Sequence, residues 1–345
     1  MTALADWIGA GVRGWVRFWF ELPDTRALDL VRVGVGLTLF FSYATLAGHV
    51  EAFYTEDGWM PLALTPSLTE EPTSLSLLFV FRSAEAAWTL WWVTIVAAVV
   101  YTAGWRPNVM KWVLLVGHYS FTRRAPAVAY GVDDLCSNLL LIQCLVPMGH
   151  ALAIDAHRRA SLLRVPWRQT LRSMGLRLTQ VQMAIIMAFA GLEKLQGEDW
   201  WDGLGVWYAM TDWEFNFFPL EPFAEHPYLL NLLGYSAVLF ELAYPALIWH
   251  RRSRGPILAL AVGLHVGVAV VMGLWLFSAA MLVSHMAFAP PLWLRWLRVP
   301  RDACEAPPNA GQKGRCGAPG NSASSAATDG QRAAGSIDSP RANAR

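Results

Sequence analysis

The chain has 345 residues, of which 55% are hydrophobic and only 15% charged, with a formal net charge of +1 and a mean hydropathy of +0.33. A water-soluble domain carries about 25% charged residues, so this composition excludes an ordinary soluble enzyme, and a balance this close to neutral gives no electrostatic basis for binding nucleic acid. Eighteen tryptophans and sixteen phenylalanines add to the apolar excess and leave the lipid bilayer as the expected solvent.

In chain order, residues 1–26 form an N-terminal segment expected in the cytoplasm. The first long apolar run begins near Ala27, too far in for a usual signal peptide, and is read as a retained span. Runs of about 18 or more apolar residues read as membrane helices. The pattern predicts spans at roughly 27–47, 86–104, 109–124, 132–150, 178–196, 229–249, 256–272 and 276–294. The third ("KWVLLVGHYSF") is short and polar and is expected inside the bundle. "SLSLLFVFR", 74–82, is too short to span and is expected to be interfacial or re-entrant on the outer side. From 301 to 345 the chain is rich in Ala, Gly, Ser, Pro and Asn without an aromatic residue, the composition of a disordered cytoplasmic tail. The expected fold class is all-α: a polytopic membrane protein with its transmembrane domain over 27–300, about eight helices, and both termini cytoplasmic.

Loop charge sets the orientation. Residues 157–177 carry six arginines and no acid, and "HRRSR" (250–254) is basic, whereas 48–85 is acidic and 193–228 holds Lys194 as its one lysine or arginine. Basic loops stay in the cytoplasm, which places a bacterial inner membrane protein with its acidic loops outside. Arg123 and Arg124 are the exception, falling on the outer side by this count. Lysine itself is rare, with Lys111, Lys194 and Lys313 among many arginines. GC-rich codon usage accounts for that, yet only lysine readily gives up its proton. Cys136 and Cys144 share one apolar helix, Cys304 and Cys316 lie in the tail, and no CxxC or other metal spacing occurs.

Span boundaries convert sequence position into depth, at about 1.5 Å per residue. An outer group comprises His118, Asp133, Asp134, Glu193 and Lys194, followed at once by Asp199, Trp200 and Asp202. An inner group, Glu241, His265 and His285, sits mid-span in the last three helices. Ionisable residues at such depth face a bundle interior or a cavity. Each also has a plain structural role open to it. Lys194 can snorkel to the outer headgroups beside an aromatic belt. One of the two aspartates can cap a helix. The histidines can be satisfied by neighbouring helices. A mid-span glutamate must be protonated or paired, and His265 and His285 are its expected partners.

Five stretches carry a resemblance. They are "LDLVRVGVGLTLFFSY" with "YTEDGWMP", "GHYSFTRRAPAVAYGVDD" (117–134), "QVQMAIIMAFAGLEKLQGEDWWDGLGVWYAM" (180–210), "FELAYPALI" (240–248) and "LHVGVAVVMGLWLFSAAMLVSH" (264–285). Together, over roughly 27–295, the chain resembles the horizontally transferred transmembrane domain family, related to the membrane part of vitamin K-dependent gamma-carboxylase. The resemblance implies that Lys194 stands where the carboxylase has the base that deprotonates a reduced quinone. It implies a menaquinol-like cofactor whose oxidation by oxygen generates the strong base for a carboxylation. The shared depth of the outer group, taken with this match, makes Asp133, Asp134 and His118 the residues expected to tune the lysine, with Glu193, Trp200, Glu241, His265 and His285 expected around the cofactor. The chain departs from the carboxylase in lacking its large lumenal part, in Asp133–Asp134 where the carboxylase has Asn-His, and in Glu193 where it has a lysine. Some bacterial relatives resemble maturation or immunity partners of secreted peptides. The sequence therefore admits a quinol-dependent, lyase-like enzyme, or a non-catalytic partner of a small secreted or redox protein. A third reading is a transporter relaying protons through Glu241, His265 and His285.

Overall fold

The computed structural model describes residues 2–21, 24–67, 75–156, 165–212 and 221–297; the predicted tail, 301–345, lies outside them. All the described regular structure is helical. Five helices are long and apolar enough to cross a membrane. They are α2 (Arg26–Leu46), continued by a 3-10 turn and α3 (Val50–Tyr54), α5 (Ala84–Ala103), α8 (Pro166–Gln196), α12 (Pro227–Leu247) and α13 (Arg254–Met272). Three further helices, α6 (Pro107–Arg124), α7 (Gly131–Cys144) and α14 (Trp275–His285), fall at the other predicted spans but are shorter or more polar. The remaining helices are α1 (Thr2–Phe20), α4 (Leu77–Val80), α9 (Glu198–Trp201), α10 (Gly205–Thr211) and α11 (Glu221–Ala224).

Local chemistry sets the helix ends. The Ser83 hydroxyl accepts the Ala86 N–H to start α5, and Gly104, at φ +77°, ends it in the left-handed conformation that favours glycine. Prolines open α6, α8 and α12 at the first turn, where the missing N–H has no helical partner to lose. Along the bundle α2 packs on α5, α5 on α6, and α8 on α12. Gly36 of α2 and Gly117 of α6 lie against Thr102 and Thr94 of α5, small residues that bring helix backbones together as expected in lipid. The outward faces carry exposed Phe41, Trp92, Val96, Leu239, Leu260 and Val266, apolar side chains suited to hydrocarbon.

Two predicted spans end early. The fourth was expected to run to 150, but α7 stops at Cys144 and an irregular segment follows. The eighth was expected to reach 294, but α14 stops at His285. The segment after α7 has its backbone satisfied by buried side chains. Asp29 accepts the N–H groups of Gly149, His150 and Ala151 at 3.0–3.2 Å. Lys111 donates to Val146 O (2.7 Å), Arg172 to Pro147 O (3.0 Å) and Arg32 to Leu152 O (2.5 Å). Asn108 both donates to and accepts from Met148. Irregular backbone at membrane depth survives only where protein supplies such partners. An apolar composition ("LVPMGH") had suggested a continuing helix, and hydropathy does not register this substitution of side-chain for helical hydrogen bonds.

Candidate functional site

The C-terminal end of α8 carries the first polar group. At Gly191 a Cβ would lie 2.9 Å from Leu242 Cγ and 3.1 Å from the Leu242 backbone N, so the absent side chain lets α8 and α12 approach. Lys194, three residues on, is on the same side of the helix. Its Nζ lies 3.0 Å from Glu241 Oε1 and 2.9 Å from Oε2. It also donates to Ala190 O at 3.4 Å and sits 5.2 Å from the centroid of the Trp200 ring. The side chains are 23% and 8% exposed for Lys194 and Glu241. Glu193, rotated by about 100°, is exposed. The adjacent charges therefore part company: the lysine turns to protein and the glutamate turns out.

The chain after α8 folds back to hold this arrangement. The Trp201 indole N–H donates to Leu195 O at 2.7 Å, and the Tyr235 hydroxyl of α12 donates to Trp201 O at 2.6 Å. Trp200 lies against Gly205 of α10, where a Cβ would strike the indole. The ring is thereby fixed over the ammonium, a cation–π contact.

A second group joins α2, α6 and α7. His118, fully buried, receives the Tyr43 hydroxyl at Nδ1 (3.0 Å) and donates through Nε2 to the backbone O of Asp133 (3.0 Å). The carbonyl can only accept, which assigns the Nε2–H tautomer. The Asp133 carboxylate is spent on the Tyr130 N–H at 3.0 Å, a cap at the start of α7. A cleft of about 390 Å³ beside this group is lined by Tyr43, Tyr54, Trp59, Tyr130 and Asp133. Asp134 is exposed and faces a larger groove of about 740 Å³ between α4, α6 and α7. Arg124, which loop charge had left anomalous, is buried with its guanidinium 3.4 Å from Thr55 O.

A third group runs inward. His285 Nδ1 is 2.7 Å from the Tyr244 hydroxyl and its Nε2 is 3.1 Å from His265 Nε2, all three residues being buried.

The structure thus regroups the expected residues. Glu241 was expected to pair with His265 and His285; it pairs with Lys194, while the histidines bond to each other and to Tyr244. Glu241 and Tyr244 are one turn apart on α12, and that turn separates what they meet. Lys194 was expected beside His118, Asp133 and Asp134; among the described residues no hydrogen bond or ion pair links them. Tyr43 and Tyr244 were missed. A phenol inside an apolar run carries no charge to flag it, although the spacing of Tyr244 three residues after Glu241 was a signal. Asp29 and Arg32, three apart inside the first apolar run, were also passed over.

Long apolar helices, lipid-suited outer faces and a buried polar interior define a polytopic α-helical membrane protein. The chain belongs to the HTTM domain family, which matches residues 23–293, and is thus a membrane protein of the gamma-carboxylase-related family. No curated protein and no solved structure matches it.

Proposed function

We propose that this protein binds a reduced lipid-soluble quinone such as menaquinol at the Lys194 end of the bundle, in a bacterial plasma membrane, with Lys194 as the base that takes the quinol proton. The reading rests on one observation: the Lys194 amine is turned inward onto the Glu241 carboxylate beneath the Trp200 ring. The Glu241 carboxylate, within hydrogen-bond reach of the amine, is placed to take a proton from it, and that transfer would present a neutral amine. That amine accepts the quinol O–H proton and leaves a quinol oxyanion beside the newly formed ammonium. Trp200 offers a flat face for the ring. His118, Asp133 and Asp134 are second-rank candidates in this reading, because their contacts run to Tyr43, to backbone and to the outer groove.

The test is oxidation of menaquinol by oxygen in the purified protein reconstituted in lipid nanodiscs. The reading expects turnover that Lys194→Ala and Glu241→Gln abolish; turnover unchanged in Lys194→Ala refutes it.

A second reading, a non-catalytic partner of a small secreted or redox protein, is favoured by the two clefts described above, neither of which contains Lys194 or Glu241. It expects the cellular phenotype to survive Lys194→Ala and to be lost when the loop at 197–228 is disrupted.

A further inference from the structure

The groove between α4, α6 and α7 is graded from end to end. At its mouth stand Arg123, in the last turn of α6, and Asp134, in the first turn of α7. The two helices meet through the short turn at Pro126–Val128, so both charges sit near one end of the bundle, the level at which span ends predict the headgroups. One turn deeper lies Asn138, two turns from the mouth the walls are Val116 and Leu141, and Val80 of α4 completes the lining. From Asp134 to Leu141 is two turns, about 10 Å. The apolar walls are exposed, so the groove opens on the outside of the bundle, where hydrocarbon lies.

The polar residues are out of place for bare hydrocarbon contact. Asp134 and Asn138 are exposed on the outward face of α7, and neither makes a hydrogen bond to the described residues. A carboxylate and an amide turned to lipid are costly unless a polar occupant meets them. Arg123 lies over the Tyr119 ring at 4.9 Å, and both residues line the groove. One cation and one anion at the mouth, with an amide below and an apolar trough beneath, reproduce the order of groups along a phospholipid.

The geometry points to a binding site for a zwitterionic aminophospholipid in this groove, with the lipid phosphate on Arg123, its primary ammonium on Asp134, the glycerol esters near Asn138 and the acyl chains over Val116, Leu141 and Val80. The pairing of charges selects the class. A purely anionic head would set a second negative charge against Asp134. A choline head would reach the carboxylate but has no N–H to donate. A volume of about 740 Å³ accommodates the head and the upper parts of the chains.

The site is independent of the quinol reading, and its test uses no turnover. Purified, delipidated protein is offered phosphatidylethanolamine in equal mixture with phosphatidylglycerol, with phosphatidylcholine, and with a menaquinone, and the retained lipid is read by native mass spectrometry. Phosphatidylethanolamine is expected to be retained over each competitor. Asp134→Asn, an exposed and isosteric change, should reduce the preference over phosphatidylcholine by about tenfold, the effect of one charge-assisted hydrogen bond. Arg123→Lys, which keeps the charge, should retain phospholipid where Arg123→Ala lowers retention of every phospholipid. Equal retention of phosphatidylglycerol or phosphatidylcholine overturns the assignment. So does displacement by the quinone, or an unchanged preference in Asp134→Asn.

Discussion

Arg172 Nη2 and Asp29 Oδ2 lie 2.7 Å apart, and neither side chain is exposed. The pair ties α8 to α2, and the same carboxylate gathers three successive backbone N–H groups from the segment after α7. The guanidinium in turn reaches Thr25 Oγ1, Thr25 O and Pro147 O. Charge here replaces helix as the means of satisfying backbone at depth.

Removing one member of that pair strands the other. Asp29→Ala should therefore lower stability by about 3–5 kcal/mol, seen as a large fall in the melting temperature of the detergent-solubilised protein. A shift equal to that of an exposed-surface control would show that the pair is dispensable.

The Lys194–Glu241 pair is less enclosed, and its effect should be smaller. Lys194→Met leaves the Glu241 carboxylate buried without its ammonium partner, at an expected loss toward the lower end of about 3–5 kcal/mol. Adding Glu241→Leu should restore most of that stability, because no unpaired charge then remains. A double-mutant cycle on thermal unfolding measures the coupling. Quinol oxidation, by contrast, should not return in the double variant, which separates a structural tie from a working base.

Gly191 sets the distance between the helices that bear this pair. Gly191→Val should push α8 from α12, lower stability by about 1–3 kcal/mol, and break the ion pair. The check is non-additivity: Lys194→Met should matter far less in the Gly191→Val background than in the wild type.

The loop charges predict an orientation that labelling can read. In a background with all four cysteines replaced, Asp199→Cys should react with a membrane-impermeant maleimide on intact cells. Arg252→Cys should react after permeabilisation alone. The reverse pattern would invert the topology expected from the basic loops.

Much of the helical layout was legible because hydropathy is a local property. The runs in α2, α5, α12 and α13 are long and contain little else, and α8 announced itself through the same pattern. The end of α7 was not legible: "LVPMGH" stays apolar while its hydrogen bonds pass from helix to Asp29, Lys111, Asn108 and Arg172. Those four residues come from α2, α6 and α8, and no window along the chain contains them together. The site divides in the same way. Lys194 stood out as a lysine at the end of an apolar helix, but Glu241 was assigned to two histidines because they lie at a similar depth, and not to the lysine 47 positions earlier that it meets.

The sequence by itself determined the solvent, the helical class and the family, since each follows from which residues occur and in what order. Only the tertiary structure decided which charges meet. Lys194 finds Glu241 because Gly191 admits α12, Asp29 finds Arg172 because α2 and α8 pack together beside the irregular segment that both side chains hold, and His285 finds His265 because α13 and α14 lie side by side. Burial free energy acts on any apolar surface alike, whereas an ion pair or hydrogen bond is decided by tenths of an ångström between separate helices.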